Sequence, residues 1–206
     1  MTDYRITDEI RNKKVLVVEG KDDVGFFVKM LDKLNIFGVY VASLGGKDKF
    51  NDDLPDLQKR PAFSDITHFG VIRDQDIDNA FESVANILSR KMGFKNIPSE
   101  NGQFVSGTPL IGIFIMPGNS IRGKTLEDLC LKTVEDHPAM QCVNEFASCA
   151  SALENKPKNM AKAKAQTFLA AQPEIVNSVG LGAEKNYWDF DSPSLNELKQ
   201  FLNNLK

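Results

Sequence analysis

Residues 14–23 read KVLVVEGKDD, and residues 70–78 read GVIRDQDID. Each opens on an unbroken apolar run rich in β-branched residues and closes on carboxylates. A strand with one wet face would alternate polar and apolar side chains. Runs without alternation suit strands covered on both faces, as in a parallel sheet flanked by helices. Working outward, Val24, Phe27, Val28, Leu31 and Leu34 recur at helical spacing after Gly20, with Asp22 or Asp23 placed to cap that helix. IFGVYVASL (36–44) predicts a second strand ending at Gly45-Gly46. KDKFNDDLPDLQKR (47–60) is helical or mixed, with a fresh helical start at Asp53 and Pro55. THFGVIR (67–73) is the third strand, ending at Asp74. NAFESVANILSRKM (79–92) is a helix, and LIGIFIM (110–116) is the fourth strand, ending at Pro117-Gly118. Strands alternating with helices of about a dozen residues predict right-handed crossovers and an α/β fold with a mostly parallel sheet.

From Thr125 the text turns helical: TLEDLCLKTVED, HPAMQCVNEFASCASAL, PKNMAKAKAQTFLAAQ and SPSLNELKQFLNNL. Thr125 with Asp128, and Ser194 with Glu197, have capping-box spacing. The expected organisation is an α/β core over 1–124 and a helical part over 125–206 packed on it as one compact unit.

The chain has 206 residues, 25 Lys+Arg against 28 Asp+Glu, and 42% hydrophobic residues. That length buries enough surface to fold without disulfides or structural metal. Average Gly and Pro content and the lack of a fixed repeat exclude collagenous, low-complexity and coiled-coil classes. A net charge of -3 gives no global basic field of the kind nucleic-acid binders show, although Lys156, Lys158, Lys162 and Lys164 form a local basic run that reads as a solvated helix face. Cys130, Cys142 and Cys149 lack metal-ligand spacing and are expected to be buried free thiols in a reducing compartment. The polar N-terminus is unlike a signal peptide, and PLIGIFIMPG is too short to span a bilayer, so a cytoplasmic protein with no membrane contact is expected.

Open α/β sheets place their chemistry at the carboxyl ends of strands. Glu19 follows the first strand, and Asp74 follows the third with Asp76 and Asp78 close behind. If those strands are neighbours, Glu19, Asp74 and Asp76 converge at one edge. Gathered carboxylates repel one another, and a hard divalent cation relieves this. Magnesium takes one or two carboxylates, keeps several waters and completes its shell with phosphate oxygens, which implies phosphoryl transfer. The plainer alternatives are that Glu19 merely neighbours a helix N-terminus and that Asp78 caps the helix beginning near Asn79. An EF-hand loop fails, since its sixth position needs Gly and its twelfth Glu, where Asn79 and Ala85 stand. An aspartyl-phosphate phosphatase would carry its D-x-D on the first strand with a following Thr, where Ile77 stands.

VLVVEGKDD followed by the strand-borne VIRDQDID resembles the toprim domain, shared by primases, topoisomerases, recombination proteins, ribosomal-RNA maturases and OLD-family nucleases. GKTLEDLCL resembles the later acidic segment of the OLD-like branch, and the whole chain, through KNYWDFDSPSLNELKQFLNNL, is similar to a prokaryotic family of short toprim-like proteins. The resemblance implies a toprim-like, Rossmann-like sheet and a set of roles. Glu19 would act as general acid/base or share a metal. Asp74 and Asp76 would hold Mg²⁺, for which Mn²⁺ can substitute. Asp23 and Glu127, with Asp128 as the neighbouring candidate, would help a second metal, the alternative for Asp128 being a helix cap. Lys21 and Lys124 are candidates to meet phosphate, surface lysine being the alternative for Lys21, and Arg122 in the polar loop 117–123 could contact substrate.

Gly45-Gly46-Lys47 could cradle a phosphate but has no Walker spacing and reads better as a plain turn. His68 and His137 sit in no triad or zinc pattern, no G-x-S-x-G is present, and Tyr4, Tyr40 and Tyr187 lack the context of a topoisomerase nucleophile. Trp188 reads as an anchor for the last helix rather than a base-stacking platform. The expected function is therefore a Mg²⁺-dependent nuclease or nucleotidyl-processing enzyme acting on nucleic acid. The alternatives are a non-catalytic module binding a nucleotide or protein partner, in genome defence for example, and an interaction protein whose acidic residues are caps and surface.

Overall fold

The computed structural model describes residue 10 and residues 12–46, 49–76 and 78–206; Tyr4, Lys47 and Ile77 lie outside the described residues. A five-stranded sheet in the order β2-β1-β3-β5-β4 forms its centre. The strands are β1 (Lys14–Val18), β2 (Val39–Ser43), β3 (His68–Asp74), β4 (Phe104–Val105) and β5 (Leu110–Met116). β1, β2, β3 and β5 run parallel, and only the two-residue β4 pairs antiparallel, at the edge. The α/β class agrees with the sequence expectation, and β1 and β3 are neighbours, which is the condition under which Glu19 and Asp74 share an edge; β4 has no period long enough to read.

Alternation along each strand divides the core in two. Leu16 and Val18 of β1, Ile72 of β3, and Phe114 and Met116 of β5 enter one apolar cluster. Val15, Val17, Phe69, Val71, Ile111, Ile113 and Ile115 enter the other. On the first face lie α1 (Lys21–Lys33), α4 (Leu126–Thr133), α5 (Met140–Ser151), α6 (Met160–Ala170), α7 (Val179–Glu184) and α8 (Asn196–Asn203). Their buried residues share one cluster with the strands. The last residues return to β1, where Lys14 Nζ donates to the Leu205 carbonyl at 2.9 Å. Trp188 is buried, stacks on Phe168 at 5.1 Å and donates its indole N–H to the Val179 carbonyl at 2.9 Å, so it anchors this layer as expected.

The second face is covered by α2 (Phe50–Asp56) and α3 (Ala80–Asn86). α2 begins at Phe50, three residues before the expected start at Asp53, and carries Pro55 in its last turn. Phe50 and Leu54 are buried there, and anchoring them outweighs the local preference of Pro55 for a first turn. α3 passes into a π-helical turn over Ile87–Lys91. No helix among the described residues is long and apolar enough to cross a membrane.

α1 and α7 pack through glycines. A Cβ on Gly25 would lie 3.0 Å from the Gly180 Cα, and one on Gly180 would lie 2.5 Å from the Asp22 carbonyl oxygen. Gly180→Ala is therefore expected to push α7 off the first turn of α1 and cost about 1–3 kcal/mol, read as a fall in melting temperature of roughly 2–4 °C per kcal/mol. An unchanged melting temperature would show that the helices slide apart without cost.

Candidate functional site

Four carboxylates from four elements meet at the carboxyl edge of the sheet. Glu19 follows β1, Asp74 ends β3, Asp23 lies in the first turn of α1, and Glu127 lies in the first turn of α4. The parallel register of β1 and β3 aligns Val17 with Val71, so both strands reach this edge together. Asp74 follows Ile72 on the face that carries α1 and α4.

Two of the four side chains bind the backbone of the helices beneath them. Asp23 Oδ2 accepts the Gly20 N–H at 2.7 Å, closing the start of α1. Gly20, not Asp22 or Asp23, is thus the residue that caps α1, with Asp23 reaching back from the third helical position. Asp74 Oδ1 accepts the Leu126 N–H at 3.0 Å and so ties the end of β3 to the start of α4. Such N–H donors favour the ionised carboxylate, and both helix N-termini add partial positive charge.

Burial nevertheless wins. Desolvation, opposed by the Gly20 N–H and reinforced by the charges of Glu19, Glu127 and Asp22, raises Asp23 from 3.8 to about 7. Desolvation, then the charges of Asp23, Glu19 and Glu127, holds Asp74 well above the usual carboxylate range against the Leu126 N–H. Cys130, buried in α4, is pushed up first by burial and then by Glu127, Asp23 and Asp74, which leaves its thiol unsuited to nucleophilic work. Burial first, and then the neighbouring charges, keep Asp23 and Asp74 raised beside Glu19 and Glu127.

The other expected residues are exposed or serve as caps. Asp76 is exposed beyond the end of β3, and the charges raising Asp23 and Asp74 do not include it. Asp128 Oδ2 accepts the Lys124 and Thr125 N–H groups at 2.8 and 3.0 Å, so it caps α4. Lys21 and Lys124 are exposed, the latter's carbonyl accepting the Gln75 N–H at 2.7 Å. Arg122 is exposed and lines a cavity of about 720 Å³ beside α4 together with Lys132 and Lys164. Lys164 thereby leaves the solvated run to which its sequence neighbours belong. Among the described residues, no group of three or more His, Cys, Asp and Glu side chains is disposed to hold a metal ion. The oxygen donor set suits a hard divalent cation, and an ion bound through one or two carboxylates and several waters needs no triple cluster.

The family described as "Protein of unknown function (DUF3226)" matches residues 13–206. The chain belongs to that family. No curated protein matches it. Solved structures of the C-terminal region of the Xanthomonas campestris pv. campestris OLD protein are similar to it. The iodine-phased one has 16% identity and a TM-score of 0.48 over 95% of this chain and 96% of that one. The platinum-phased one has 17% identity and a TM-score of 0.39 over 94% and 83%.

Two local expectations are corrected in this DUF3226 chain. Ser194 does not form a capping box with Glu197. Ser192 instead caps a 3₁₀ turn over Pro193–Leu195, and α8 begins at Asn196. Glu197 is used elsewhere, accepting the Asn119 N–H at 2.7 Å and the Ser120 hydroxyl. It thus pins the 117–123 loop, whose Gly118 has a φ of 104°; nothing in the local sequence of α8 signals this task. Of the three cysteines only Cys130 is buried, whereas Cys142 and Cys149 are exposed on α5, because that helix buries Met140, Val143 and Ala150 instead. The Gly45-Gly46 turn has φ values of 78° and 120°, and Gly46 donates its N–H to the Glu19 carbonyl at 2.9 Å. It therefore braces the residue after β1, as a plain turn would.

Proposed function

We propose that this chain is a cytoplasmic, Mg²⁺-dependent phosphoryl-transfer enzyme with a toprim-like core over 1–124 and a helical extension over 125–206, a nuclease or nucleotidyl-processing enzyme acting on nucleic acid. The observation that carries the reading is the raised state of Asp23 and Asp74 beside Glu19 and Glu127. A carboxylate set that resists its own ionisation is favourable where a divalent cation supplies the missing positive charge. Asp74 and Asp76 would hold Mg²⁺ or Mn²⁺. Asp23 and Glu127 would complete a second position, and Glu19 would take or deliver a proton or share an ion. When bound, the metal would polarise a phosphoryl oxygen. Arg122, Lys21 and Lys124 would meet the phosphate backbone from the rim, where exposed cations steer a polyanion, with Lys164 lining the same cavity as Arg122.

Incubation with single-stranded and duplex DNA and RNA in Mg²⁺, Mn²⁺ or EDTA is the direct test. Cleavage or nucleotidyl transfer present with either metal and absent in EDTA is expected. No turnover on any substrate, together with metal-dependent stabilisation by a mononucleotide, would replace this reading with the non-catalytic module.

A further inference from the structure

We propose that the chain carries a second site, for a phosphate group, on the face of the sheet opposite the acidic edge. The site is a cavity of about 320 Å³ between the start of α2 and the junction of α3 with its π-helical turn. Its polar lining is Asn51, Asn79, Ser83, Asn86, Arg90 and Lys91, and no carboxylate among the described residues lines it. Two cations, three primary amides and a hydroxyl make a surface rich in N–H and O–H donors. A compact oxyanion with several acceptor oxygens is the ligand such a surface recognises.

The second observation lies behind Ser83. Strand alternation sends Arg73 away from Asp74 and toward α2 and α3. Its guanidinium sits 4.8 Å over the Phe50 ring, and Nη1 donates to Ser83 Oγ at 3.2 Å. The residue is 8% exposed, and its Nε is buried without a hydrogen-bond partner. None of the ion pairs formed among the described residues involves it. A buried cation lacking an anion is costly, and the cost falls when an anion binds nearby. Because Ser83 accepts from Arg73, its own proton is left to donate into the cavity. The permanent charge is thereby relayed to the ligand one hydroxyl away.

The backbone shapes the same place. Met92 donates its N–H to the Ile87 carbonyl at 3.0 Å, five residues back, which widens the helix as it delivers Arg90 and Lys91 to the rim. Such π-turns recur at functional sites. Lys91 Nζ donates to the Asn51 carbonyl at 2.8 Å, holding the α2 side of the cavity against the α3 side. Among the described residues Lys91 pairs with one acid, Asp52, 4.0 Å away with its side chain 83% exposed, and so largely screened by water.

The site is independent of the acidic edge, and its test uses EDTA so that failure of the metal reading leaves it untouched. The full chain is melted in inorganic phosphate and in chloride at matched ionic strength, as wild type, Asp74→Asn and the double variant Arg90→Ala/Lys91→Ala, with titration calorimetry in parallel. Phosphate is expected to raise the melting temperature of wild type and Asp74→Asn alike, as any ligand of the native state does. In the double variant, whose changes are both at exposed positions, phosphate affinity is expected to fall about tenfold or more. Absence of a phosphate-specific shift in wild type, or the same affinity in the double variant, overturns the proposal. Competition by a short single-stranded DNA separates the two sources of the group. Displacement of phosphate assigns the site to a nucleic-acid backbone, and lack of displacement assigns it to free phosphate or a monoester.

Discussion

In alkaline EDTA buffer Asp74→Asn is expected to melt above wild type, and in Mn²⁺ buffer it is expected to lack both the stabilisation by the metal and the turnover. The two halves of this result come from one cause. Asp74 is held well above the usual carboxylate range by burial and by Asp23, Glu19 and Glu127, so a rise in pH forces the native state to carry a charge it resists. Asparagine removes that charge and still offers an oxygen to the Leu126 N–H, which Asp74 Oδ1 accepts at 3.0 Å. The gain is expected at about 1–3 kcal/mol, the usual scale for relieving a poorly solvated polar group, or roughly 2–4 °C for each kcal/mol. It should shrink toward acid pH, where wild type is already neutral at this position.

The loss comes from the same carboxylate. Outer-shell partners of metal ligands already cost about 10–100-fold when removed, so loss of a proposed ligand should lower turnover more than about 100-fold. Melting curves across pH, with and without Mn²⁺, and initial rates on the best substrate measure both halves. An Asp74→Asn protein less stable than wild type at every pH would make Asp74 a structural tie for α4 and nothing more.

The strands are legible where they are long and buried on both faces. KVLVV and LIGIFIM need no context to be recognised, because continuous apolar runs bounded by Glu19 and by Pro117 leave few alternatives. β4 is hidden because its two residues are positioned from outside: Phe104 lies across Gly112, where a Cβ would sit 2.3 Å from its ring. Only the fold knows that contact. Likewise Ser194 and Glu197 have capping spacing, yet the backbone N–H of Asn119 competes for the same carboxylate and wins. Thr125 and Asp128 form the expected box because no distant donor intervenes.

The acidic edge shows the same division. Glu19 and Asp74 can be named from their places at strand ends, whereas Asp23 and Glu127 are named only through the resemblance to the toprim domain. Spacing from Asp74 groups Asp76 with them, and the structure places Asp76 two residues beyond the end of β3, on exposed backbone that the strand's period of two no longer orients. Arg73 escapes notice for the opposite reason. A single basic residue in an apolar strand carries no motif, and its burial over Phe50 emerges only once α2 is in place.

The stability of the metal-free protein is expected to fall as pH rises from about 4 to about 7, opposite to the acid sensitivity of proteins whose carboxylates are ion-paired. Asp23 has an ordinary value of 3.8 and a folded value of about 7. Between them the native state binds a proton that the unfolded chain has released. The protonated group's contribution is thus fully present below 3.8, declines through the window by about 1.4 kcal/mol per pH unit, and is lost above about 7. Across the window this is on the order of 4 kcal/mol, and Asp74, raised as well, adds a decline of the same sign. Asp23→Asn keeps an acceptor for the Gly20 N–H and should flatten the lower part of the profile. Saturating Mn²⁺ should reverse it, since a cation binds the ionised carboxylates and its affinity grows as they lose their protons. Chemical denaturation from about pH 4 to about pH 9 in EDTA and in Mn²⁺ reads these slopes directly. A flat EDTA profile with an unchanged Asp23→Asn curve would mean that Asp23 ionises at its ordinary value, and the repulsion that motivates a cation at this edge would be gone.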